Sequence, residues 1–368
     1  MAIMTRGRLA AALLSIGLIS AACGTSTEKP AATGAALPAA PTTTDPRTAT
    51  PTGADFYKTP PMVAGSKHGD LVYLQKIDGY AFADKTVGVN AWRILYRSMA
   101  AADDSPIVVS GMVLEPTAKS TTPRPIVAWA HETVGSADDC APSKSPSGTP
   151  KTSAPEEKAL LDQLAFFVRQ GWVVVATDYE GLGTAGAHPY LVGKSEGRSV
   201  LDSITAVRQI GSLNTSDTAV VYGLSQGGHA ALFAGELAST WAPDTKIAGV
   251  VASAPFSEVD QLLPLAAVSP DFAGFFLLGI YGTAAGTKGL NPNQVVDPVG
   301  TANAGLVETQ CLGPLSTSLK TALTAAGKTS IVSANPLGIP EWKAALGATV
   351  PGQQLTAAPI LVVQGKSD

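Results

Sequence analysis

Residues 220–229 read VVYGLSQGGH. A β-branched run is followed by the pattern G-x-S-x-G and then by small residues that favour a helix over 227–239. This order predicts a nucleophile elbow, a strained strand-to-helix turn that lifts the Ser225 hydroxyl above the sheet. The flanking glycines are needed because a Cβ there would collide with the neighbouring strand or helix. We therefore predict that Ser225 is a catalytic nucleophile; the alternative is a chance match to a short pattern.

Apolar runs on both sides of this segment predict further strands of the same sheet. They lie at residues 71–76, 91–97, 107–114, 126–130, 172–177, 218–222 and 247–252. Helices are predicted at 155–170, where apolar side chains recur at helical spacing, and at 196–210. Strands that alternate with helices predict an α/β fold, with a mostly parallel sheet flanked by helices.

The alternation stops after residue 254. Residues 255–357 are rich in Gly, Pro and Ala, and a strand pattern returns only in 358–368. We predict a core of residues 56–254, a helical cap or lid in 255–357 that covers Ser225, and a last core strand in 358–368. The apolar run 272–281 is either an acyl-chain groove or lid, or ordinary cap core.

The composition excludes several classes of function. The 368 residues carry a net charge of −4 and no Lys/Arg run, which argues against a nucleic-acid partner. Three cysteines are too few for a disulfide scaffold. Because no H-E-x-x-H, C-x-x-C or glycine-rich phosphate loop occurs, we predict neither a metal site nor a cofactor.

The N-terminus has the pattern of a targeting segment. Arg6 and Arg8 precede the apolar run 9–22, which is too short to be a stable membrane anchor. Small residues before Cys23 resemble a bacterial lipoprotein signal in residues 1–23, so we predict that a lipidated Cys23 tethers the protein to a membrane outside the cytoplasm. The alternative is ordinary secretion. Residues 24–55, rich in Ala, Thr and Pro, are predicted to be a disordered tether.

A serine nucleophile needs a base and an acid that orients the base. In hydrolases with this elbow the chain order is Ser, then Asp or Glu, then His. Asp368 follows an apolar strand and is predicted to be the acid; Asp297, in the predicted cap, is the alternative.

The base is not apparent in the sequence. The four histidines are His68, His131, His188 and His229, and none follows Asp368. His229, one helical turn after Ser225, and His188, in a loop, are both interpreted as structural. We expect that the sequence stops before the catalytic histidine, and that the 368-residue chain is nearly inactive.

An oxyanion hole needs two hydrogen-bond donors. The backbone N–H of Gln226, the residue after the nucleophile, is the first. The second is expected from the loop after strand 126–130, where Thr133 offers both its N–H and its hydroxyl and Glu132 is the other candidate. The alternative is that this segment is merely a polar loop.

Across residues 56–368 the sequence resembles the secretory lipase family, the lipase-A type of yeasts and its actinobacterial relatives. The matching segments are FY at 56–57 with PP at 60–61, ILYRS at 94–98, AWAH at 128–131 with Thr133, CAPS at 140–143, DYEGLG at 178–183, HPYL at 188–191, GLSQGG at 223–228 and QGKSD at 364–368.

The resemblance implies an α/β-hydrolase fold with a helical cap, and a Ser-Asp-His triad that acts on carboxylic esters and triacylglycerols. Carried over to this chain, Ser225 is the nucleophile, Asp368 the acid, and Gln226 with Glu132 or Thr133 the oxyanion hole. Bacterial relatives usually have His-Gly-Thr where this chain has His-Glu-Thr at 131–133. That departure leaves the second donor open.

The resemblance also implies a disulfide between Cys140 and Cys311. An extracytoplasmic compartment permits this bond, and Cys23 is then left for lipidation. The alternative is two unpaired buried thiols.

The sequence therefore predicts an extracytoplasmic serine ester hydrolase, a lipase or carboxylesterase, with a lipid or ester substrate. Two alternatives remain open. One is a peptidase or acyltransferase on the same fold, since a fold does not determine the substrate. The other is a catalytically inactive, surface-tethered protein that binds lipid.

Overall fold

Eight strands form one sheet in the computed structural model of the chain, which describes residues 50–145 and 154–366. The strands are β1 Leu71–Ile77, β2 Val89–Met99, β3 Pro106–Pro116, β4 Arg124–Ala130, β5 Val173–Thr177, β6 Thr215–Leu224, β7 Lys246–Ser253 and β8 Ile360–Val363. Their order in the sheet is β1-β2-β3-β5-β4-β6-β7-β8.

The sheet has an antiparallel part and a parallel part. β1 pairs with β2, β2 with β3, and β3 with β5, and all three pairs are antiparallel. β5, β4, β6, β7 and β8 are all parallel to one another. The predicted mostly parallel sheet is confirmed, and the parallel part contains the strand that leads into Ser225.

Helices cover the sheet and fill the connection between β7 and β8. The α-helices are α1 Ala154–Arg169, α2 Gly193–Arg208, α3 Gln226–Trp241, α4 Val259–Ala266, α5 Ala273–Gly286, α6 Pro298–Ala302, α7 Leu312–Ala325 and α8 Pro340–Gly347. Short 3-10 helices occur at Gly53–Tyr57, Asp138–Cys140, Pro142–Lys144, Gly211–Leu213, Pro270–Phe272, Pro292–Gln294, Ala304–Glu308 and Pro336–Gly338.

β4 shows why the sheet has helices on both faces. Successive side chains of a strand point to opposite faces, and in β4 both sets are apolar and buried. Ile126 and Ala128 pack in the cluster that holds α2 and α3, whereas Val127 and Trp129 pack in the cluster that holds α1. A continuous apolar run in the sequence is therefore a strand buried on both faces.

All the regular elements in the connection between β7 and β8 are helices, and these helices bury a hydrophobic core of their own. Its largest fully buried side chains include Trp342 and Phe276. Most of the apolar run 272–281 lies in α5, whose Phe276, Leu277, Leu278 and Ile280 are fully buried in this core. These four side chains are cap core, while Phe272, at the start of the run, is half exposed.

The N-terminal boundary differs from the prediction. Residues 50–55, assigned to the tether, already contact the domain: the Thr50 hydroxyl donates to the Leu74 carbonyl at 3.2 Å, and the Gly53–Tyr57 helix buries Phe56 completely. Residues 50–55 form turns and carry no large apolar side chain, so nothing in the sequence indicated that they contact the domain. The signal segment 1–23 with Cys23, most of the tether, and Asp368 lie outside the described residues. Within the described part, no single helix is long and apolar enough to cross a membrane.

His68 fastens the segment before β1 to α2 and α3. Its Nδ1 lies 2.7 Å from Asp202 Oδ1, and its ring packs on Trp241 with centroids 4.1 Å apart. Asp202 also accepts hydrogen bonds from the Ser98 hydroxyl and the Trp241 indole. The hydrogen bond to Asp202 raises the pKa of His68, although burial opposes the shift.

We expect this pair to make stability depend on pH. Because the pKa of His68 is raised above its unfolded value of about 6.5, its protonation stabilises the fold fully below that pH, and the contribution is lost as pH rises through the folded-state pKa. His68→Gln keeps a donor but cannot be charged, so its deficit in Tm should be largest near pH ~5.5 and smaller near pH ~8.5. Since 34% of the side chain is exposed, solvent screening limits the effect to about 1 kcal/mol or less. Thermal unfolding across this pH range measures it, and a deficit that grows with pH would contradict it.

Candidate active site

Ser225 lies between β6 and α3 in a backbone conformation that residues other than glycine rarely adopt. Its φ is 55° and its ψ is −115°. Three hydrogen bonds hold this conformation: Ser225 N–H donates to the Ser253 carbonyl at 2.9 Å, and the Ser225 carbonyl accepts from the N–H groups of His229 and Phe256. Such a conformation costs about 1–3 kcal/mol and persists only where the surroundings impose it.

The glycines around Ser225 allow backbone atoms to approach closely. A Cβ on Gly223 would lie 1.9 Å from the Gly227 carbonyl oxygen, and a Cβ on Gly227 would lie 1.9 Å from the Ala130 carbonyl oxygen. No side chain fits at such distances. The first turn of α3 therefore packs directly against the end of β4, which brings the loop after β4 next to Ser225.

Gln226 is the first residue of α3, and its backbone N–H has no hydrogen-bond partner among residues 50–145 and 154–366. The side chain, in contrast, is fixed. Its Nε2 donates to Glu196 Oε1 at 2.9 Å and lies 3.2 Å from His188 Nε2. His188 Nδ1 lies 2.8 Å from the Glu180 carbonyl oxygen, which only accepts, so Nδ1 carries the hydrogen and Nε2 accepts from Gln226. Burial lowers the pKa of His188 and keeps this ring neutral.

His131 sets the direction of the peptide between Glu132 and Thr133. Burial lowers the pKa of His131 to about 4, so the ring is neutral, and its Nδ1 lies 2.6 Å from the Glu132 carbonyl oxygen. In a trans peptide the carbonyl and the following N–H point in opposite directions. The Thr133 N–H therefore points away from the His131 ring, and it has no partner within the described residues.

The side chains of the two candidates for the second donor differ in burial. Thr133 is 6% exposed, and its hydroxyl lies 2.8 Å from the Tyr190 hydroxyl. Glu132 is partly buried. Thr133 thus offers an N–H and a hydroxyl in one buried position of the loop after β4.

No histidine ring hydrogen-bonds to the Ser225 side chain in the part of the chain that the structure describes; the His229 contact with Ser225 is made by its backbone N–H. The ring nitrogens of the four histidines meet other groups: Asp202 for His68, the carbonyls of Glu132 and Asp178 for His131, the Glu180 carbonyl and Gln226 for His188, and Glu196 and the Thr349 carbonyl for His229. His229 points into the layer beneath Ser225, between α2 and α3.

The sheet register shows where the segment before Asp368 runs. Leu224, Ser253 and Val363 lie side by side across β6, β7 and β8. Because these strands are parallel, the chain after Val363 emerges at the same edge of the sheet as Ser225. Asp368 itself lies outside the described residues.

Asp297, the alternative acid, has a structural role. It caps α6, where its Oδ1 accepts from the Gly300 N–H at 2.9 Å, and its Oδ2 pairs with Lys328. Burial alone would raise its pKa, but the hydrogen bonds to Lys328 and Gly300 outweigh burial and hold the pKa below the usual value.

A cavity of about 490 Å³ lies between the loops of the sheet and the cap. Its walls come from the loop after β4, the loop before α2, α5 and the Ala304–Glu308 helix: Ser136, Asp138, Gly186, Ala187, His188, Tyr281, Gly282, Ala304, Gly305, Val307 and Glu308. Tyr281 is the one residue of the apolar run 272–281 in this wall. His188 lines the cavity and also contacts Gln226.

The cap is fastened to the loop that carries Thr133. A disulfide joins Cys140 to Cys311, with Cα atoms 5.5 Å apart, and the Leu312 N–H donates to the Val134 carbonyl at 2.9 Å. Within residues 50–145 and 154–366, no group of three or more His, Cys, Asp or Glu side chains is arranged to hold a metal ion.

Residues 157–368 match a family model described as secretory lipase. The chain belongs to the secretory lipase family. Among curated relatives, this family member is 29% identical over 259 residues to lipase A of Moesziomyces aphidis, covering 68% of this chain and 54% of that protein. It is 32% identical over 200 residues to the secreted triacylglycerol lipase LIP4 of Malassezia globosa, covering 53% of this chain and 42% of that protein. The chain thus spans about half the length of the curated relatives it matches.

Solved structures show the fold of this family member. Candida antarctica lipase A superposes with a TM-score of 0.68 at 19% identity, covering 86% of this chain and 74% of that one. The rice cell wall degrading esterase LipA from Xanthomonas oryzae gives 0.65 at 21% identity, covering 82% and 84%. The predicted α/β-hydrolase fold and the predicted membership of the secretory lipase family are confirmed.

The side chains that hold Gln226 were not predicted from the sequence. Glu196 stands at the start of a predicted helix, where an acidic residue ordinarily favours the helix N-terminus. His188 lies 38 residues from Gln226. The one feature of the sequence that pointed to these contacts is the pair of glycines Gly193 and Gly197. A Cβ at either position would meet Phe233, so the glycines let α2 approach α3 closely.

Proposed function

We propose that this chain is the catalytic core of an extracytoplasmic serine ester hydrolase, a lipase or carboxylesterase. The observation that carries the proposal is the strained conformation of Ser225 next to the unpartnered N–H of Gln226. Strain held at one non-glycine residue, beside free donors at a helix N-terminus, is typical of a nucleophile elbow. The names of the relatives, which include lipases and a triacylglycerol lipase, support the same class of substrate.

In the proposed mechanism Ser225 Oγ attacks the ester carbonyl. The oxyanion of the tetrahedral intermediate accepts hydrogen bonds from the Gln226 N–H and from Thr133, with Glu132 as the alternative donor. A general base takes the Ser225 proton and passes it to the leaving alcohol; the same base then takes a proton from the water that releases the acyl group, and Ser225 regains its proton. Asp368 is the proposed acid. None of the four histidines of this chain is the proposed base, because each has other partners.

The test compares the 368-residue chain with the product of the entire reading frame. Both are assayed with p-nitrophenyl acetate, butyrate and palmitate, and with an aminoacyl p-nitroanilide. We expect the product of the entire reading frame to hydrolyse the esters, Ser225→Ala to abolish this hydrolysis, and neither form to hydrolyse the anilide. Anilide hydrolysis that depends on Ser225 would instead support a peptidase.

One observation favours a second candidate function. Because no histidine ring hydrogen-bonds to the Ser225 hydroxyl within the described residues, a catalytically inactive, lipid-binding protein on the same fold is the alternative. It predicts no ester hydrolysis in either form, together with binding to phosphatidylcholine vesicles that Ser225→Ala leaves unchanged. Both results together would overturn the hydrolase proposal.

We further propose that Cys23 is lipidated and anchors the protein at the outer face of a membrane. The support is the sequence alone: an apolar segment and small residues directly before this cysteine. The mass of the mature N-terminal peptide decides between a lipidated Cys23 and simple secretion.

A further inference from the structure

One loop contacts Gln226 and Thr133, two of the three candidate donors of the oxyanion hole. The loop comprises residues 186–191, between β5 and α2. His188 accepts from the Gln226 side chain, and two residues later the Tyr190 hydroxyl lies 2.8 Å from Thr133 Oγ1. The four side chains are all at least nine-tenths buried. Gln226 and Thr133 come from separate segments of the core, and this loop is the element that contacts the side chains of both.

The 186–191 loop is held rigidly at both ends. A Cβ on Gly181 would lie 2.4 Å from the Ala187 carbonyl oxygen, so the backbone of the Gly181 turn packs on the start of the loop. At the other end, the Leu191 N–H donates to Glu196 Oε1 at 3.1 Å, and the Leu191 carbonyl accepts from the Thr349 hydroxyl. A Cβ on Gly282 of α5 would lie 2.6 Å from backbone atoms of Tyr190, so the cap presses directly on the loop.

The hydrogen bond between the Tyr190 and Thr133 hydroxyls determines whether the Thr133 hydroxyl has a hydrogen left to donate to a substrate. Burial raises the pKa of Tyr190, so its hydroxyl keeps a hydrogen, and Thr133 Oγ1 is its partner within the described residues. If Tyr190 donates this hydrogen bond, the hydrogen of the Thr133 hydroxyl stays free for an oxyanion. If Thr133 donates instead, that hydrogen is consumed.

We propose that the 186–191 loop positions both donors of the oxyanion hole: His188 holds the Gln226 side chain, and Tyr190 donates to Thr133 Oγ1 so that the Thr133 hydroxyl donates to the substrate. His188 and Tyr190 are positioning residues, because they act through Gln226 and Thr133. The inference rests on the proposed ester hydrolase function and adds to it the residues that hold the hole in place.

The test uses the product of the entire reading frame with p-nitrophenyl butyrate. Loss of one oxyanion-hole donor costs about 10²–10³ in kcat, so displacing a donor without removing it should cost less. We expect kcat to fall about 10-fold in Tyr190→Phe and about 10–100-fold in His188→Leu, with KM changed by less than about threefold. His188→Gln should recover part of the loss, because its amide oxygen can accept from Gln226.

The matched control is Tyr57→Phe. It removes a similar hydroxyl pair, Tyr57 to Ser143 at 3.1 Å, which includes neither Gln226 nor Thr133, and should leave kcat unchanged. A second readout is inhibition by n-butylboronic acid, whose adduct with serine carries a negative charge on oxygen. Its inhibition constant should rise by the factor by which kcat falls.

The outcomes separate the two proposals. Wild-type activity that needs Ser225, with kcat unchanged in both Tyr190→Phe and His188→Leu, would overturn the positioning inference and leave the hydrolase proposal intact. A fall in kcat with an unchanged inhibition constant for the boronic acid would also overturn the inference. Absence of any activity dependent on Ser225 in the wild type would overturn both proposals.

Discussion

Replacing Ser225 by glycine is expected to abolish ester hydrolysis and to stabilise the fold. The loss of the hydroxyl removes the proposed nucleophile, and in serine hydrolases such a loss lowers kcat by about 10⁴-fold or more. The gain in stability comes from the backbone. Serine is held here at φ 55° and ψ −115°, a region that glycine occupies without a steric penalty.

Ser225→Ala separates the two effects. Alanine also lacks the hydroxyl, so both variants should be inactive, but alanine keeps the Cβ and with it the strain. Relief of strain contributes about 1–3 kcal/mol, from which the larger backbone entropy of glycine in the unfolded state subtracts about 0.5–1 kcal/mol. The glycine variant should therefore be more stable than the alanine variant by about 1 kcal/mol. Urea unfolding of the two variants measures this difference, and a less stable glycine variant would show that the backbone of Ser225 is not strained.

The sequence predicted the elements whose residues face the core, and it predicted their ends less well. The strand at 126–130 was found because its apolar run is buried on both faces, and its observed bounds, Arg124–Ala130, extend it by only two residues. The strands predicted at 91–97 and 107–114 extend in the structure to Val89–Met99 and Pro106–Pro116. The added residues include Asn90, Ser98 and Glu115, which interrupt the apolar runs, and pairing of the two strands with each other keeps these ends extended.

In the candidate site, local chemistry was predictable and contacts distant in sequence were not. The strained turn at Ser225 and the free N–H of Gln226 follow from a ten-residue pattern in the sequence. The contacts of Gln226 with His188 and Glu196 depend on how closely α2 packs on α3, and those of Thr133 with Tyr190 depend on the path of a loop. Side chains separated by 30 to 57 residues in the sequence meet here, and no spacing rule connects them.

Glu196 lies at the centre of these contacts, and replacing it by alanine is expected to have the largest effect on stability. Its Oε1 accepts from Gln226 Nε2 and from the Leu191 N–H, and its Oε2 lies 2.6 Å from His229 Nδ1. The side chains of Glu196 and His229 are fully buried. His229 Nε2 lies 2.8 Å from the Thr349 carbonyl oxygen, which only accepts, so Nε2 carries a hydrogen. The contact between Nδ1 and Oε2 then needs a second hydrogen, shared by the two side chains.

This arrangement distinguishes loss of the hydrogen bonds from loss of the charge. Glu196→Ala leaves three buried donors without an acceptor, and removing one partner of a buried pair costs about 3–5 kcal/mol. Glu196→Gln is nearly isosteric: its amide oxygen can accept from Gln226 and Leu191, while its N–H donates to a neutral His229, so we expect a cost of about 1 kcal/mol or less. Glu341→Ala is the matched control, because Glu341 also lies in the first turn of a helix but is exposed, and it should change stability by about 0.5 kcal/mol or less. Urea unfolding of the three variants measures these differences. Equal losses in Glu196→Ala and Glu196→Gln would mean that the charge of Glu196, and not its hydrogen bonds, holds α2, α3 and the 186–191 loop together.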